Sequence, residues 1–401
     1  MARRRRRQRQ RQQQRWEPEL NEDVTAEILL RIPPDEPAHL FRASVVCKLW
    51  LRVASDPAFL RRYRDFHRGA PLLGFFYNPD SSGPFPGFLY NPDSAASWRP
   101  QPRHGKGCAR CVYDCRHGRV LLGEISRSKL VVWDPFSNHC EELQAPSSLC
   151  PFQSNAVVLC AEPGCNHHSC RGGRFRVVCL SINDPDCTTL HAHVYSSESR
   201  SWSTPAPAQL AGIHYFDMKR AALIGDGIYC TIDHGHRILK YDLVEHRLSL
   251  IGMPSLYGND PVLMQNEDGS LGIACVLGSR LHLWSTMVNA EGVAGWVEKR
   301  VILPEGVISF EANVIGFAEG VEVFFISTVV GAFTFELKSG RVRKVSEHTG
   351  YCGITPFISF FTPDVAGKLL IFRDFFDARS WLQQMDKIIG GQIMKGKWTN
   401  S

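Results

Sequence analysis

The rhythm of apolar positions changes once along this chain. Between residues 21 and 67 they recur at helical spacing, and beyond about residue 111 they come in short runs broken by glycine and polar turns. Four helices are predicted in the first stretch. Asn21 caps the first, with Glu22 and Asp23 in its opening turn, the sign favoured there. Val24, Ile28 and Ile32 form its apolar face, and Pro33 and Pro34 stop it. Pro37 opens a second helix with Leu40 and Ala43 inward. Val45, Val46, Leu49, Trp50 and Val53 make a third stripe. Asp56 followed by Pro57 is a cap and first turn for a fourth, where Phe59, Tyr63 and Phe66 share one side. A unit this small has little core of its own and gains by burying an apolar face on a partner, so it reads either as a docking module or as a helical cap on the body.

The later stretch repeats a plan. GRVLLGEISRSKLVVWDP (118–135), GDGIYCTIDHGHRILKYDL (225–243), GSLGIACVLGSRLHLWST (269–286) and EVFFISTVVGAFTFEL (322–337) each read as strand, tight turn and a second strand ending in an aromatic. FRVVCLSI with LHAHVYSSESRSWST (175–182, 190–204) is a longer-looped version. Trp133, Tyr195, Tyr241, Trp284 and Phe335 therefore recur at intervals of roughly forty to sixty residues, a propeller signature. A β-sandwich is the competing architecture but needs no such repeat. Each small two-faced sheet buries its faces on its neighbours around a ring. The widest interval has room for an inserted loop, 160–173. Five units are clear, and a sixth is shared between residues 70–110 and 350–372. The near repeat FFYNPDS (75–81) and FLYNPDS (88–94) is expected as a local duplication in a loop or as two edge-strand fragments around turns. The most apolar segment, Val321 to Leu337, contains Glu322, Gly331 and Glu336 and reads as strands rather than a membrane span.

The run LNEDVTAEILLRIPPDEPAHLFRASVVCKLWLRVASDPAFLRR (20–62) resembles the F-box of plant F-box proteins: the opening leucine with acidic residues, Glu27-Ile28-Leu29, the Leu30-Arg31-Ile32-Pro33 stop, Leu40 with Arg42-Ala43-Ser44, Val46-Cys47-Lys48 with Trp50, and Asp56-Pro57-Ala58-Phe59. Asn21 departs from the family, which usually has proline after the first leucine. The body resembles the kelch-like F-box-associated domain through YDCRHGRVLL (113–122), LVVWDP (130–135) and PFISFFTPD (356–364). The last is the candidate closing strand, since this family typically closes its ring by pairing a strand from the end with one near the beginning. The resemblance implies a substrate-recognition adaptor of an SCF-type cullin–RING ubiquitin ligase. The F-box would bind a Skp-type adaptor, and through it cullin and RING subunits, while the propeller recruits an unknown target protein. It implies Leu20, Ile28, Leu29, Ile32, Pro33, Leu40, Val46, Cys47 and Trp50 as adaptor-facing or core residues of the F-box, and no catalysis in this chain.

The expected layout is an α+β multidomain protein: an Arg/Gln-rich disordered tail (1–18), a helical F-box domain (19–67), a linker with the first strand (68–110), an all-β kelch-like propeller of about six blades (111–372), and a C-terminal helix and tail (373–401). In that last piece Asp377 caps, Trp381, Met385 and Ile388 share a face, and Gly390 and Gly391 end the helix. It is expected to pack on the propeller rather than to bind a partner.

Charge sharpens this picture. The formal net charge is +6, but the first fifteen residues hold eight arginines and no acid, so the rest of the chain carries a small negative excess and no general nucleic-acid surface. The tail is a solvated leader or, in the competing reading, a nuclear-import or RNA-touching patch. With an opening of arginine and glutamine rather than an apolar signal, fourteen scattered cysteines fit a reducing compartment, cytoplasmic or nuclear.

Candidate chemistry is sparse. The densest ligand-like group is Cys160, Cys165, His167, His168 and Cys170, with Cys108, Cys111 and Cys115 upstream. A zinc cluster of Cys160, Cys165, His167 and Cys170 is conceivable by ligand type. The spacing matches no recognised finger, Gly172 and Gly173 read as a flexible loop, and free thiols with no metal and no cofactor are the expectation. Cys179, Cys230 and Cys275 are expected buried in strands. His234 and His236 lie in a turn and are read as solvent contacts, while Asp226-Gly227 and Asp268-Gly269 are hairpin turns. No nucleophile elbow, phosphate loop or zinc-protease motif is present in the sequence. The alternatives to an adaptor are a kelch-type sugar- or metal-binding propeller and an RNA-associated protein using the arginine tail. Loops 160–174 and 231–237 are the candidate target-facing surface, with substrate-binding residues unknown.

Overall fold

The computed structural model describes residues 21–34, 37–44, 46–79, 87–90, 110–124, 127–146, 153–165, 167, 170, 172–182, 189–203, 208–209, 212–213, 215–254, 260–288, 294–302 and 312–360. Leu20, Val45, Cys108, His168, the arginine tail and the expected C-terminal helix lie outside them. The chain divides into two compact units, with the boundary between Arg68 and Gly69.

In the first unit α1 (Glu22–Leu30), α2 (Pro37–Ser44), α3 (Lys48–Ser55) and α4 (Pro57–His67) follow the predicted order. Asn21 caps α1 by accepting the Val24 N–H at 2.8 Å. Asp56 caps α4, accepting the N–H groups of Ala58 and Phe59 at 2.8 and 2.9 Å. Each cap satisfies donors that the helix itself leaves orphaned. Ile28, Leu29, Leu30, Ile32, Leu40, Ala43, Trp50, Val53, Ala54, Phe59 and Tyr63 are buried. The Tyr63 hydroxyl donates to the Ile32 carbonyl at 2.7 Å and His67 Nε2 lies 2.9 Å from the Leu30 carbonyl, so α4 holds the end of α1 and the turn after it. Two expected inward residues point out: Val24 is 44% exposed and Phe66 53%. Val24 lies in the first turn of its helix and Phe66 in the last turn of its own.

The second unit is a propeller of six sheets. Four are four-stranded meanders: β3 (Arg110–Arg116), β4 (Arg119–Glu124), β5 (Lys129–Asp134) and β6 (His139–Gln144); β12 (Ala222–Ile224), β13 (Gly227–Ile232), β14 (Arg237–Asp242) and β15 (Arg247–Gly252); β16 (Val262–Gln265), β17 (Leu271–Leu277), β18 (Arg280–Val288) and β19 (Ala294–Ile302); and β20 (Asn313–Ala318), β21 (Val323–Thr328), β22 (Gly331–Glu336) and β23 (Val342–Ser346). A fifth sheet has β7 (Ser154–Cys160), β8 (Phe175–Ile182), β9 (Thr189–Ser196) and β10 (Ser201–Ser203), with β11 (Ala208–Gln209) added on β9. The sixth joins β1 (Leu72–Pro79) and β2 (Gly87–Tyr90) to β24 (Tyr351–Ile358). Phe357 pairs with Gly74 and Pro356 with Phe75, so the start and end of the unit close the ring through one sheet. That is the shared sixth unit that the sequence indicates, but its closing strand lies earlier than the expected PFISFFTPD (356–364), which it overlaps only from Pro356 to Ile358. The described parts of the duplicated phrase, 75–79 and 88–90, are strand: β2 is an edge fragment as expected, whereas β1 is not. The two copies pair antiparallel, Phe75 with Leu89 and Phe76 with Phe88, and β1 is the central strand of the closing sheet. Residues 68–110 therefore supply ring strands as well as any connection.

Trp133, Tyr195, Tyr241, Trp284 and Phe335 all fall on the third strand of their sheets, which is why they recur. Middle strands such as β4 and β17 are buried almost throughout, because a blade is covered on both faces. Between the sheets of β3–β6 and β7–β11, for instance, Leu121, Leu130 and Val132 pack on Ala156, Val158, Val177 and Tyr195. Cys179, Cys230 and Cys275 are buried in strands as expected.

Candidate functional site

The innermost strands begin at one mouth of the ring, and there a cavity of about 440 Å³ opens among Tyr215, Met218, Lys219, His234, Asp260 and Cys352. The segment before β12 builds its floor. Phe216 bridges to Ile232, and the Asp217 N–H donates to the Thr231 carbonyl, so the segment continues the line of β12 along β13 to the mouth. The Asp217 carboxylate accepts the N–H groups of His234 and Gly235 at 3.0 and 2.9 Å and pins the β13–β14 turn beside the cavity. Gly235 is required there. Its φ is +71° and a Cβ would stand 2.2 Å from the Pro261 ring. Burial pushes the Asp217 carboxyl up despite these donors.

Lys219 is buried, and its ammonium donates to the carbonyls of Asp260 and Pro261 at 2.8 and 3.0 Å and pairs with the Asp260 carboxylate at 2.8 Å. Burial pushes this amine down, against the pull of Asp260. His234 is exposed and meets the Tyr215 ring edge-on at 4.6 Å. The arrangement offers an apolar hollow with an imidazole and a phenol at its rim, suited to holding a side chain.

Deeper in the ring two carboxylates and two guanidiniums tie three blades together. Asp114 is fully buried and accepts Arg116 Nε at 3.1 Å, Arg220 Nε at 2.8 Å and the Val158 N–H at 3.1 Å. Glu319 lies 3.4 Å from Arg116 and 3.8 Å from Arg220. The charges balance, as burial demands. Neither this network nor the cavity floor was read from the sequence. Their signal is the charged run Asp217, Lys219, Arg220 in an apolar context, together with Asp114 and Arg116 alternating along a buried strand.

In the helical unit, the structure places Ile28, Leu29, Ile32, Leu40 and Trp50 in its own core, whereas Pro33 and Val46 are half-buried and Cys47 is exposed. Glu27 sits between Arg62 and Arg31, and the Arg62 hydrogen bond above all holds its carboxyl below the usual range. Of the thiol and imidazole candidates, Cys160, Cys165, His167 and Cys170 come together, their ligand atoms within 4.8 Å of one another. They lie on the β7–β8 connection, at the mouth opposite the cavity. Cys111 and Cys115 are buried in β3 and are not part of this group. His234 and His236 stay exposed, as expected for a turn.

Residues 111–364 match the family described as F-box protein AT5G49610-like, beta-propeller, and residues 18–62 match the F-box domain. The chain belongs to that F-box propeller family. No curated protein matches it. Among solved structures it is similar to a protein of unknown function from Bacteroides caccae, at 11% identity over 71% of this chain and 98% of that one, with a TM-score of 0.43. A functionally unknown protein from Desulfotomaculum acetoxidans matches at 13% identity over 71% and 99%, with a TM-score of 0.40. The Malassezia sympodialis allergen Mala s 1 matches at 11% over 58% and 77%, with a TM-score of 0.37. Within the F-box propeller family, the helical unit is the F-box and the ring is its partner domain.

Proposed function

We propose that this F-box propeller protein is the substrate-recognition subunit of an SCF-type cullin–RING ubiquitin ligase, acting in the cytoplasm or nucleus. The observation that carries the reading is the union, in one chain, of an F-box match that folds as four helices and a six-bladed ring with an open cavity. The F-box holds a Skp-type adaptor, and the ring holds a target protein. The chain performs no bond chemistry. Keeping the target beside the charged ubiquitin carrier raises the effective concentration of the two, and the transfer is catalysed by other subunits.

Burial divides the F-box residues into two roles. Leu29, Ile32, Leu40 and Trp50 build the docking surface by holding the helices together, and Pro33, Val46 and Cys47 stand at that surface. On the ring, the hollow beside Tyr215 and His234 receives a target side chain. The test is co-purification of the full chain with a Skp-type adaptor. A stable complex is expected, and Val46→Glu with Cys47→Glu should abolish it without moving the thermal unfolding of either unit. Absence of a complex with the unmutated chain, or an unchanged complex with the double variant, would overturn the assignment.

A further inference from the structure

The β7–β8 connection carries Cys160, Cys165, His167 and Cys170 with four, one and two residues between successive members. Three features of this loop are unexplained by docking or by the fold. The first is convergence: all four ligand atoms lie within 4.8 Å of one another, and His167 Nδ1 is 3.8 Å from Cys170 Sγ. A tetrahedral zinc ion with its usual bond lengths sets sulfur ligands about 3.8 Å apart and sulfur and nitrogen about 3.5 Å apart. Closing the set on an ion therefore needs side-chain shifts of about 1 Å.

The second is the direction of the backbone donors. The Glu162 N–H points at Cys160 Sγ at 3.5 Å, and the His167 N–H points at Cys165 Sγ at 3.3 Å, each two residues after its cysteine. A neutral thiol is a weak acceptor, whereas a thiolate gains from such donors. The loop thus presents its amides to sulfur as a metal-bound thiolate requires.

The third is a buried cation set against the loop, its guanidinium 5.4 Å from the centre of the Phe175 ring. Arg119 is 4% exposed. Its Nη2 donates to the carbonyls of Cys170 and Gly173, at 2.9 and 2.5 Å, while Nη1 is buried with no acceptor among the described residues. The nearby Glu162 carboxylate is engaged by Arg174, whose N–H it accepts at 2.6 Å. Three thiolates and one neutral imidazole around a divalent zinc leave one net negative charge, which the guanidinium would balance.

We propose that Cys160, Cys165, His167 and Cys170 bind one structural zinc ion that fixes the β7–β8 loop to the mouth of the ring opposite the cavity, with Arg119 as its buried counter-charge. The donor set of three sulfurs and one nitrogen selects a thiophilic, tetrahedral ion over calcium or magnesium. With all four positions filled by protein, the site is closed to substrate and serves the fold. The His117 ring, 4.2 Å from that of His167, shields the imidazole from one side.

The full-length chain purified without chelator should contain about one zinc per molecule by elemental mass spectrometry, released on titration with an organomercurial. Cobalt exchanged into it should give the visible absorption of a tetrahedral thiolate site. Cys165→Ser with Cys170→Ser should bring the ratio close to zero, Cys140→Ser should leave it unchanged, and His167→Cys should keep the metal with an altered cobalt spectrum. Should the double variant not fold, cobalt titration of the unmutated chain decides alone. A folded chain without metal and without a cobalt spectrum would overturn the site. So would a disulfide among the three cysteines in protein kept reduced, or zinc retained by the double variant.

Discussion

The F-box and the ring bury their apolar residues in contrasting ways. In the F-box four short helices contribute a handful of large side chains, with Trp50 and Tyr63 fully buried at the centre. In the ring the core is divided into layers between successive sheets, and each layer draws on two blades. The difference teaches where a substitution acts. In a small one-piece core a lost side chain removes a large share of the total, so residues that define the F-box motif report on folding before they report on contact. In the ring a damaged layer leaves the others intact, and the weak points are instead the few features shared by many blades.

Trp50→Ala should have the largest effect. Removing a buried tryptophan costs about 3–5 kcal/mol, comparable to the whole stability of so small a unit. Calorimetry should show the F-box transition lost and that of the ring kept, with adaptor co-purification lost as well. If both transitions vanish together, the two units are one cooperative body and the contrast fails. Asp114→Ala attacks the ring at its shared point. It leaves Arg116 and Arg220 buried with only Glu319 to balance them, a loss of about 3–5 kcal/mol for an uncompensated charge. The ring transition should fall while adaptor binding is unchanged. Asp114→Leu combined with Arg220→Met should recover part of that loss, because an apolar pair avoids the orphaned guanidinium.

Much of this was legible in the sequence, for identifiable reasons. Caps and prolines punctuate the F-box locally, so Asn21, Pro37 and Asp56-Pro57 announced their helices. The aromatics of the third strands announced five of the six blades because each of those blades carries a large side chain at the same place, and the sixth was indicated by the two ends of the unit. Two of those aromatics come with more than a ring. Trp133 donates to Asn138 at 3.0 Å, Tyr241 meets His246 at 2.8 Å, and the following Asp134 and Asp242 each accept two turn N–H groups. An aromatic-Asp pair before a turn is thus a fuller repeat than the aromatic alone. The outward turn of Val24 and Phe66 was not legible, since spacing gives a face but not where the neighbouring helix ends. The cavity and the ion network were not legible either. Asp114, the run from Asp217 to Arg220, Asp260 and Glu319 stand far apart in the chain and meet only because the ring closes. The cysteine–histidine cluster was visible as composition, but its convergence depends on how the loop turns between β7 and β8.

A smaller effect separates the two kinds of helix start. Asp56→Ala removes a carboxylate that satisfies two N–H groups, and Asn21→Ala removes a single bond, so each should cost about 1 kcal/mol with Asp56 the larger. Chemical denaturation of the F-box transition measures both. A reversed order would mean that the proline after Asp56, rather than its carboxylate, sets the start of α4.

The smallest expected effect belongs to the ring and is read through pH. His193 is buried in β9, and burial first, then its stacked neighbour His191 at 6.0 Å, lowers its pKa from the ordinary 6.5. A base whose folded pKa lies below its unfolded value is protonated more readily in the unfolded chain. The stability it contributes is therefore complete above pH 6.5 and is lost as the pH falls from there through the lower, folded value. The ring transition should move down in that window, and His193→Gln should flatten the slope, because glutamine keeps a polar side chain with no proton to gain. The F-box transition should not respond to this variant. A slope that is the same in His193→Gln would assign the pH response to other groups, and one that moved with the F-box would again join the two units that the contrast holds apart.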